Sequence, residues 1–277
     1  RALTKRITEL AKATRIVSEG DYDHRIPVAG HDELSDLGTE FNSLTARLKE
    51  TEELRRRFVS DASHELKTPL AAIQAITESI LDGVVSMKQA RERYLDMILH
   101  ECRQMSTLIS EILLLEQLET AGIEFHWADL ELKPFLQAQQ EKYRPLLEEK
   151  MLRLEFALDT PQRTIRADAD RLEQVLNNLL SNAIRYSFPG GRILLKVWLE
   201  GNSLHLSVTD HGEGIPADSI PYLWERFYRV DKSRSRHRGG TGLGLAVTKK
   251  LVEGMAGEIR VTSNPGVQTV FTVILPQ

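Results

Sequence analysis

Apolar side chains recur in steps of three and four residues through most of the first 120 positions, and this spacing limits the possible folds more than any other feature. The two earliest series are Leu3, Ile7, Leu10, Thr14 and Val17, followed by Leu34, Leu37, Phe41, Leu44 and Leu48. Further series run through residues 58–80 and 88–119. Such steps predict amphipathic helices that each carry one apolar stripe. A single helical hairpin cannot bury such stripes, so we expect two hairpins to pack as a four-helix bundle.

The first two helices are separated by a short polar connector. Gly20 follows the first series, as a glycine that ends a helix does, and Asp32 and Glu33 stand where the second helix begins. Acidic residues suit the positive end of a helix dipole. Two helices in one heptad phase with this connector resemble a HAMP domain. That resemblance implies a parallel coiled coil of two copies, which transmits movement of an upstream membrane helix.

The apolar pattern continues from the second helix into residues 58–80, so one long helix is expected to join the two regions. His64 points away from the apolar stripe, with Thr68 one turn further along on the same exposed side. Pro69 removes an amide and predicts a kink. An ordinary surface histidine would explain this pattern without any function. Residues 63–70, Ser-His-Glu-Leu-Lys-Thr-Pro-Leu, nevertheless resemble the phospho-acceptor box of sensor histidine kinases.

Composition excludes several classes of protein. A hydrophobic content of 41% and a charged content of 27% are typical of a soluble protein, and a net charge of −4 does not favour a general nucleic-acid surface. No apolar run approaches the ~18–20 residues needed to cross a bilayer, and no signal peptide is recognisable. The single cysteine, Cys102, excludes an internal disulfide, and its place in a heptad series predicts a packed core thiol. The eight histidines show no zinc-like spacing.

The periodicity changes after Gly122, where strand-like and helical runs alternate. The sequence predicts strands at residues 153–158, 192–199, 203–209, 258–262 and 268–275. It predicts helices around residues 133–149, 170–186 and 241–254. This pattern favours a mostly antiparallel sheet covered by helices. The expected fold is therefore multidomain, with all-α segments followed by an α+β sandwich.

Two stretches in this part carry polar groups suited to a nucleotide. Asn178 and Asn182 lie one turn apart on one helix face, and amide oxygens suit a Mg²⁺ ion that also takes waters and phosphates. Two surface asparagines are the alternative. Asp210 ends a predicted strand and precedes Gly212 and Gly214. Its carboxylate can accept the hydrogen bonds of an adenine amino group, although a simple Asp-x-Gly turn is the competing explanation.

Two further stretches suit polyphosphate. Residues 224–240 run from aromatic side chains into a basic segment, which looks like a lid over polyphosphate rather than a nucleic-acid patch. Residues 239–246, Gly-Gly-Thr-Gly-Leu-Gly-Leu-Ala, open a predicted helix whose free amides form an anion site. They contain neither the Gly-Lys-Ser/Thr of a Walker A loop nor the Gly-x-Gly-x-x-Gly of a dinucleotide fold.

Together these four stretches resemble the N, G1, F and G2 boxes of the GHKL (Bergerat-fold) ATP-binding domain. With the acceptor box upstream, the chain resembles the cytoplasmic part of a HAMP-containing sensor histidine kinase. The resemblance implies a HAMP signal-relay domain over residues 1–50, a dimerisation and phosphotransfer domain over 51–120 and a catalytic ATP-binding domain over 121–277. It implies ATP and Mg²⁺ as cofactors, a homodimer and a cognate response regulator as partners, and a transmembrane sensor region upstream in the same cell-membrane protein.

The resemblance also implies roles for individual residues. His64 would accept the γ-phosphoryl group, Glu65 would act as general base or orient the imidazole, and Thr68 would position water for regulator dephosphorylation. Asn182 would coordinate Mg²⁺. The implied ATP-binding residues are Asn178, Arg185, Tyr186, Asp210, Gly212, Gly214, Arg229, Lys232, Thr241, Gly242, Leu243 and Gly244.

Two other functions remain open at this point. GHKL domains also drive ATP-dependent clamps such as those of the Hsp90 and MutL families, in which no phosphohistidine forms. Those clamps need a glutamate in the nucleotide helix to activate water, and Glu173 lies nine residues before Asn182, too far towards the N-terminus for that role. A dimeric signalling scaffold without catalysis is the second alternative.

Overall fold

The computed structural model describes residues 2–28, 30, 32–82, 88–120, 123–161, 163–230 and 240–277. The chain divides into two units, Arg1–Glu65 and Leu66–Gln277. Among the described residues, no helix is both long enough and apolar enough to cross a membrane.

The first unit contains helix α1 (Ala2–Ser18) and the beginning of helix α2 (Glu33–Leu81). Helix α1 ends just before Gly20, whose φ of +98° suits a residue without a side chain. The Asp32 carboxylate accepts the Ser35 N–H at 3.0 Å and so caps α2. The Arg6 guanidinium donates to the same carboxylate at 2.6 Å and holds the pKa of Asp32 well below its usual range. Helix α1 therefore ends, and helix α2 begins, near the residues that the sequence predicts.

The connector of the first unit lies against α2. The side chain of Asn42 satisfies both backbone groups of Ile26, accepting from its N–H and donating to its carbonyl at 2.9 Å each. Gly38 faces the same segment, and a β-carbon there would make ordinary van der Waals contact with the side chains of Val28 and Ile26. The apolar connector residues thus pack on the helix that follows them.

Helix α2 spans 49 residues and joins the region of the connector to the histidine without a break. This confirms the prediction of one long helix. Pro69 is buried and lies inside the helix; the kink expected there stays a prediction. The helix ends at Leu81, and residues 83–87, where the sequence predicts a turn, lie outside the described residues.

Helix α3 (Lys88–Thr120) matches the predicted helix over residues 88–119. Its buried side chains are Leu108, Leu114 and Leu115. By contrast, Leu95 and Ile109 are about half exposed, at 55% and 45%, and Cys102 is exposed. The prediction of a buried Cys102 thiol is therefore wrong for the single chain. None of the three buried leucines belongs to the heptad series that contains Cys102, and no described part of the same chain fully covers that series.

The C-terminal part is built on a five-stranded sheet in the order β2-β4-β5-β7-β6. Its strands are β2 (Arg153–Asp159), β4 (Arg192–Glu200), β5 (Ser203–Asp210), β6 (Glu258–Asn264) and β7 (Gln268–Pro276). Only the β2–β4 pair is parallel, so the prediction of a mostly antiparallel sheet is confirmed. A separate antiparallel pair, β1 (Ala128–Glu131) and β3 (Thr164–Ala167), was not predicted.

Three helices pack on this sheet: α4 (Leu132–Glu149), α5 (Ala169–Tyr186) and α6 (Gly244–Gly254). The core lies between the two layers. Alternate residues of β4 and β5 point into it and are buried: Ile193, Leu195, Val197, Leu204, Leu206 and Val208. The predicted apolar face of α5 meets them, with Leu172, Val175, Leu176 and Leu179 fully buried. Helix α5 thereby turns its polar face away from the sheet.

Helix α6 begins three residues later than predicted, at Gly244 rather than residue 241. The delay has a local cause. Gly242 adopts a φ of +74°, which no right-handed helix contains, and its carbonyl accepts the Phe227 N–H at 3.0 Å. The glycine-rich stretch is therefore an extended loop that leads into the helix.

Candidate functional site

The predicted phospho-acceptor residues lie along α2. His64 is exposed, and Glu65, the next residue, is half-buried. Thr68, one helical turn beyond the histidine, is exposed as well. The imidazole thus has access to solvent, as an acceptor of a phosphoryl group requires.

Helix α5 carries four of the predicted nucleotide residues, namely Asn178, Asn182, Arg185 and Tyr186. Asp168, only 3% exposed, caps its first turn by accepting the Arg171 N–H at 3.0 Å. The same carboxylate accepts the His126 N–H at 2.8 Å, which fixes the segment before β1. With its start capped and its apolar face buried, α5 presents Asn178, Asn182 and Arg185 at half-buried positions.

Asn178 connects α5 to the start of α6. Its side-chain amide donates to the Gly244 carbonyl at 3.0 Å and to the Thr248 hydroxyl at 3.2 Å. Because the nitrogen is committed to these partners, the amide oxygen is the atom left to accept. Asn182, one turn further, is half-buried, and its side chain makes no hydrogen bond with the described part of the chain.

The side-chain oxygens at this position suit a hard cation only if phosphate oxygens complete its coordination. In the described ranges, no three His, Cys, Asp or Glu side chains come together as a metal site. The available ligands are the neutral amide oxygens of Asn178 and Asn182, which fit a Mg²⁺ ion that keeps waters and takes its charge balance from an anionic ligand.

Asp210 ends β5 and carries a buried carboxylate. The residue is 5% exposed, and its Oδ1 has no hydrogen-bond partner in the described part of the chain. Burial raises the pKa of this carboxyl group to about 7. An unpaired buried acceptor is unusual in a folded protein and indicates a missing donor.

Gly212 and Gly214 are required by close backbone contacts beside Asp210. A β-carbon on Gly212 would overlap the carbonyl oxygen of Tyr186, and one on Gly214 would stand 2.5 Å from the α-carbon of Pro265. Gly214 also has a φ of +73°. Both glycines thus allow close contacts with the protein backbone, and the approach of this backbone to a nucleotide base stays a prediction.

The glycine-rich loop receives two arginine side chains. The Arg185 guanidinium lies so close to Gly240 that a β-carbon there would overlap it, and Arg229 donates to the Gly240 carbonyl. Leu243 is fully buried and anchors the loop. Lys232 and the basic segment around it, which the sequence predicts as a lid, lie outside the described residues.

Helix α3 also contacts this loop, which the sequence did not predict. The Thr241 hydroxyl donates to the Glu111 carboxylate, and the Leu243 N–H donates to the same hydroxyl at 3.2 Å. Burial raises the pKa of Glu111, against the opposing effects of the Thr241 hydrogen bond and the Arg185 charge. A second link is the ion pair between Glu119 and Arg226.

The structure therefore assembles two ends of one elongated site. At the C-terminal end of α5, Tyr186 lies beside Asp210 and Gly212. About 12 Å earlier along the helix axis, Asn178 meets the start of α6. One end offers a buried acceptor, and the other offers amide oxygens, arginines and the N-terminus of a helix. This arrangement suits a ligand with a hydrogen-bonding base at one end and an anion at the other.

Three residues at this site were missed in the sequence: Glu111, Ser187 and Thr248. Glu111 comes from a distant helix, so no local pattern could reveal it. Ser187 directly follows Tyr186 at the end of α5, and its Oγ is buried without a partner in the described residues. Thr248 lies one turn after Gly244, a spacing from which its contact with the loop carbonyl could have been predicted.

Three family models match the chain. They are described as the HAMP domain, over residues 1–50, and the His Kinase A (phospho-acceptor) domain, over residues 54–121. The third is the histidine kinase-, DNA gyrase B- and HSP90-like ATPase, over residues 167–277. The matches follow one another in the order that the sequence motifs predict.

Similar whole proteins and solved structures agree with these matches. The signal transduction histidine-protein kinase BaeS of Escherichia coli (strain K12) is 32% identical over 276 residues, covering all of this chain and 58% of BaeS. The chain spans less than two thirds of the length of the curated relatives that it matches.

Two structures share the fold at 25% identity. The Acinetobacter baumannii histidine kinase AdeS has a TM-score of 0.65, covering 77% of this chain and 97% of that one. Full-length ShkA in complex with AMPPNP has a TM-score of 0.59, covering 78% of this chain and 45% of that one. With the HAMP, phospho-acceptor and ATPase matches in succession, the chain belongs to the HAMP-containing sensor histidine kinases of two-component systems.

Proposed function

We propose that this chain binds ATP, phosphorylates His64 and passes the phosphoryl group to an aspartate of a cognate response regulator. The observation that carries the nucleotide part is the buried Asp210 carboxylate with its unpartnered Oδ1, which suits the amino group of adenine. The similarity to ShkA, whose structure contains AMPPNP, supports the same ligand.

In the proposed reaction an imidazole nitrogen of His64 attacks the γ-phosphorus of ATP. An N–P bond forms while the bond from phosphorus to the bridging oxygen breaks, and ADP leaves. Glu65, adjacent in sequence and half-buried, orients the imidazole or takes its proton. Such a reaction requires mainly alignment of the reactants and neutralisation of charge rather than covalent chemistry by the protein.

The nucleotide residues divide between the base and the phosphates. Asp210 accepts from the adenine amino group, with Tyr186 beside the base. Mg²⁺, when bound, neutralises phosphate charge. Asn182 is its proposed ligand and Asn178 supports it. Arg185 and Arg229, which both reach Gly240, are proposed phosphate contacts. Lys232, Gly212, Gly214, Thr241, Gly242, Leu243 and Gly244 complete the proposed ATP-binding set.

The proposed domain organisation follows the same division of labour. Residues 1–50 relay a signal, 51–120 dimerise and carry the phosphohistidine, and 121–277 bind ATP. The incompletely covered stripe of α3, with Leu95 and Ile109 about half exposed, supports a homodimer in which two chains bury that stripe. The HAMP match supports attachment to a membrane-spanning sensor region, with this portion on the cytoplasmic side.

The proposal includes regulator dephosphorylation through Thr68. Its exposed hydroxyl lies one turn beyond His64, where a docked phospho-aspartate would stand. A hydroxyl is too weak a base to activate water strongly, but it can hold a water molecule in line.

An ATP-driven clamp would need a glutamate in the nucleotide helix that activates water, and the structure gives little support for such a residue. Glu173 is the glutamate of α5, and it forms an ion pair with Lys142 of α4 at 2.7 Å. That hydrogen bond and the lysine charge lower the pKa of Glu173, against a smaller effect of burial. A glutamate that pairs with α4 near the start of the helix does not face the side-chain amide oxygen of Asn182, nine residues further on.

The test is autophosphorylation with Mg²⁺ and ATP radiolabelled at the γ-phosphate. The wild-type chain should acquire an acid-labile, base-stable label, and His64→Gln should acquire none. His100→Gln is a matched control, because His100 is likewise an exposed histidine on a long helix. Equal labelling of His64→Gln and wild type would defeat the kinase proposal, whereas nucleotide binding without any label would favour the clamp.

A further inference from the structure

Ser187 carries a buried hydroxyl that the proposed ATP site does not yet use. The residue is 8% exposed, and its Oγ has no hydrogen-bond partner in the described part of the chain. Its backbone N–H donates to the Ala183 carbonyl at 3.0 Å and closes the last turn of α5. The Ser187 N–H is therefore satisfied, whereas the side-chain hydroxyl lacks a partner among the described residues.

The second buried oxygen without a partner, Asp210 Oδ1, lies close by. Ser187 pairs with Gly212 in an isolated antiparallel bridge, and Asp210 precedes Gly212 by two residues. Residues two apart on a strand share a face, so Ser187 and Asp210 are diagonal neighbours on one face. A β-carbon on Gly212 would stand 3.1 Å from Asp210 Oδ1 and 2.7 Å from the carbonyl carbon of Tyr186. That carbonyl carbon is bonded to the backbone nitrogen of Ser187.

Gly212 keeps the space beside both residues free of a side chain. Any side chain at that position would overlap the Tyr186 carbonyl and press on Asp210 Oδ1. The buried hydroxyl of Ser187 and the buried carboxylate of Asp210 therefore belong to residues that flank one glycine. Buried polar groups normally have partners, so two unpartnered oxygens around one glycine indicate a ligand edge that offers an acceptor beside a donor.

We infer that Ser187 recognises the base of the bound nucleotide together with Asp210, through a hydrogen bond from its hydroxyl to the adenine ring. This inference rests on the proposed function. The carboxylate accepts from the exocyclic amino group, and the Ser187 hydroxyl donates to the neighbouring ring nitrogen N1, directly or through one water. A 6-oxopurine would instead turn a carbonyl oxygen towards the carboxylate and leave that acceptor unpaired.

The experiment measures equilibrium binding of ATP and 1-deaza-ATP to the full chain. In 1-deaza-ATP a C–H group replaces N1, so the proposed acceptor is removed while the amino group stays. Wild type should bind ATP about three- to tenfold more tightly than 1-deaza-ATP, the range expected for one net hydrogen bond. In Ser187→Ala the affinity for ATP should fall to that for 1-deaza-ATP, which should itself be unchanged.

Ser181→Ala is the matched control. Ser181 is on the same helix, and its hydroxyl already donates to the Asn177 carbonyl, so its removal should leave the ratio of the two affinities at the wild-type value. Should Ser187→Ala not fold, Ser187→Cys makes the same comparison with a side chain of similar shape and a weak donor.

The outcomes separate this inference from the proposed function. If Ser187→Ala keeps the wild-type ratio of ATP affinity to 1-deaza-ATP affinity, the serine has a purely structural role at the helix end, whether or not the melting temperature falls. The ATP site would then stand without it. If the wild-type chain binds no adenine nucleotide, the proposed function fails, and the base-recognition role of Ser187 fails with it.

Discussion

The buried carboxyl group of Asp210 makes a strong prediction about the pH dependence of stability. The change is Asp210→Asn, which keeps the shape of the side chain and removes its charge. Burial raises the pKa of this group from its ordinary 3.8 to about 7 in the folded chain. Folding therefore favours the neutral carboxylic acid over the carboxylate.

The sign follows from which state holds the proton. Below the unfolded pKa the group is protonated in both states, and its effect on stability is neutral. As the pH rises from about 4 towards 7 the unfolded chain loses the proton first, so the folded chain becomes progressively less stable. A difference between 3.8 and about 7, at about 1.4 kcal/mol per pH unit, gives about 4 kcal/mol at pH 8. Asp210→Asn should avoid this loss.

Tryptophan fluorescence during urea unfolding is the assay, because the three tryptophans, Trp127, Trp198 and Trp224, all lie in the C-terminal part. We compare the free energy of unfolding of the two proteins at each pH. The value for Asp210→Asn minus the value for wild type should rise by about 4 kcal/mol between about pH 4 and pH 8. Asp218→Asn, at an exposed position, should show no such rise. Parallel pH curves for Asp210→Asn and wild type would refute the reasoning.

Three further predictions concern the site and its loop. Asn182→Ala should abolish Mg²⁺-dependent labelling and leave the melting temperature of the nucleotide-free chain unchanged; normal labelling would place the metal ligand elsewhere. Thr68→Ala should keep autophosphorylation but no longer hasten phosphate loss from the regulator; a wild-type rate of that loss would leave Thr68 only a helix residue. Gly242→Ala should lower the free energy of unfolding by more than the ~1–2 kcal/mol cost of a positive φ, because a β-carbon would stand 2.8 Å from the Phe227 α-carbon. Gly266→Ala, at a φ of +75° with no atom within 4 Å, measures that φ cost alone, and an equal loss in both variants would contradict the contact.

Periodic features of this chain could be predicted from the sequence because they depend on local spacing. The helices, the five strands of the main sheet and the buried face of α5 all follow from where apolar residues recur. The late start of α6 could not be predicted, since the helix dipole and the glycines alone do not reveal that Gly242 takes a positive φ. The short β1–β3 pair was missed because four-residue strands contain too few alternations.

Features that depend on tertiary contacts could not be predicted from the sequence, and the reason is different. The sequence shows that an aspartate ends a predicted strand at position 210. That its Oδ1 lacks a hydrogen-bond partner depends on how deeply the fold buries it. The thiol of Cys102 shows the converse case. Its heptad position predicts burial, yet the single chain leaves it exposed, because periodicity identifies a stripe and does not say which helix covers it.

The contact between Glu111 and Thr241 sets up a competition within the chain. A hydroxyl has one proton to donate, so Thr241 cannot bond the Glu111 carboxylate and a phosphate oxygen at the same time. An anionic ligand that accepts the proton of the Thr241 hydroxyl must therefore displace the carboxylate of α3 from it. Thermodynamic linkage makes the effect mutual: the factor by which this contact weakens nucleotide binding equals the factor by which nucleotide weakens the contact. The nucleotide affinity of the chain is thus also a measure of how firmly α3 holds the loop.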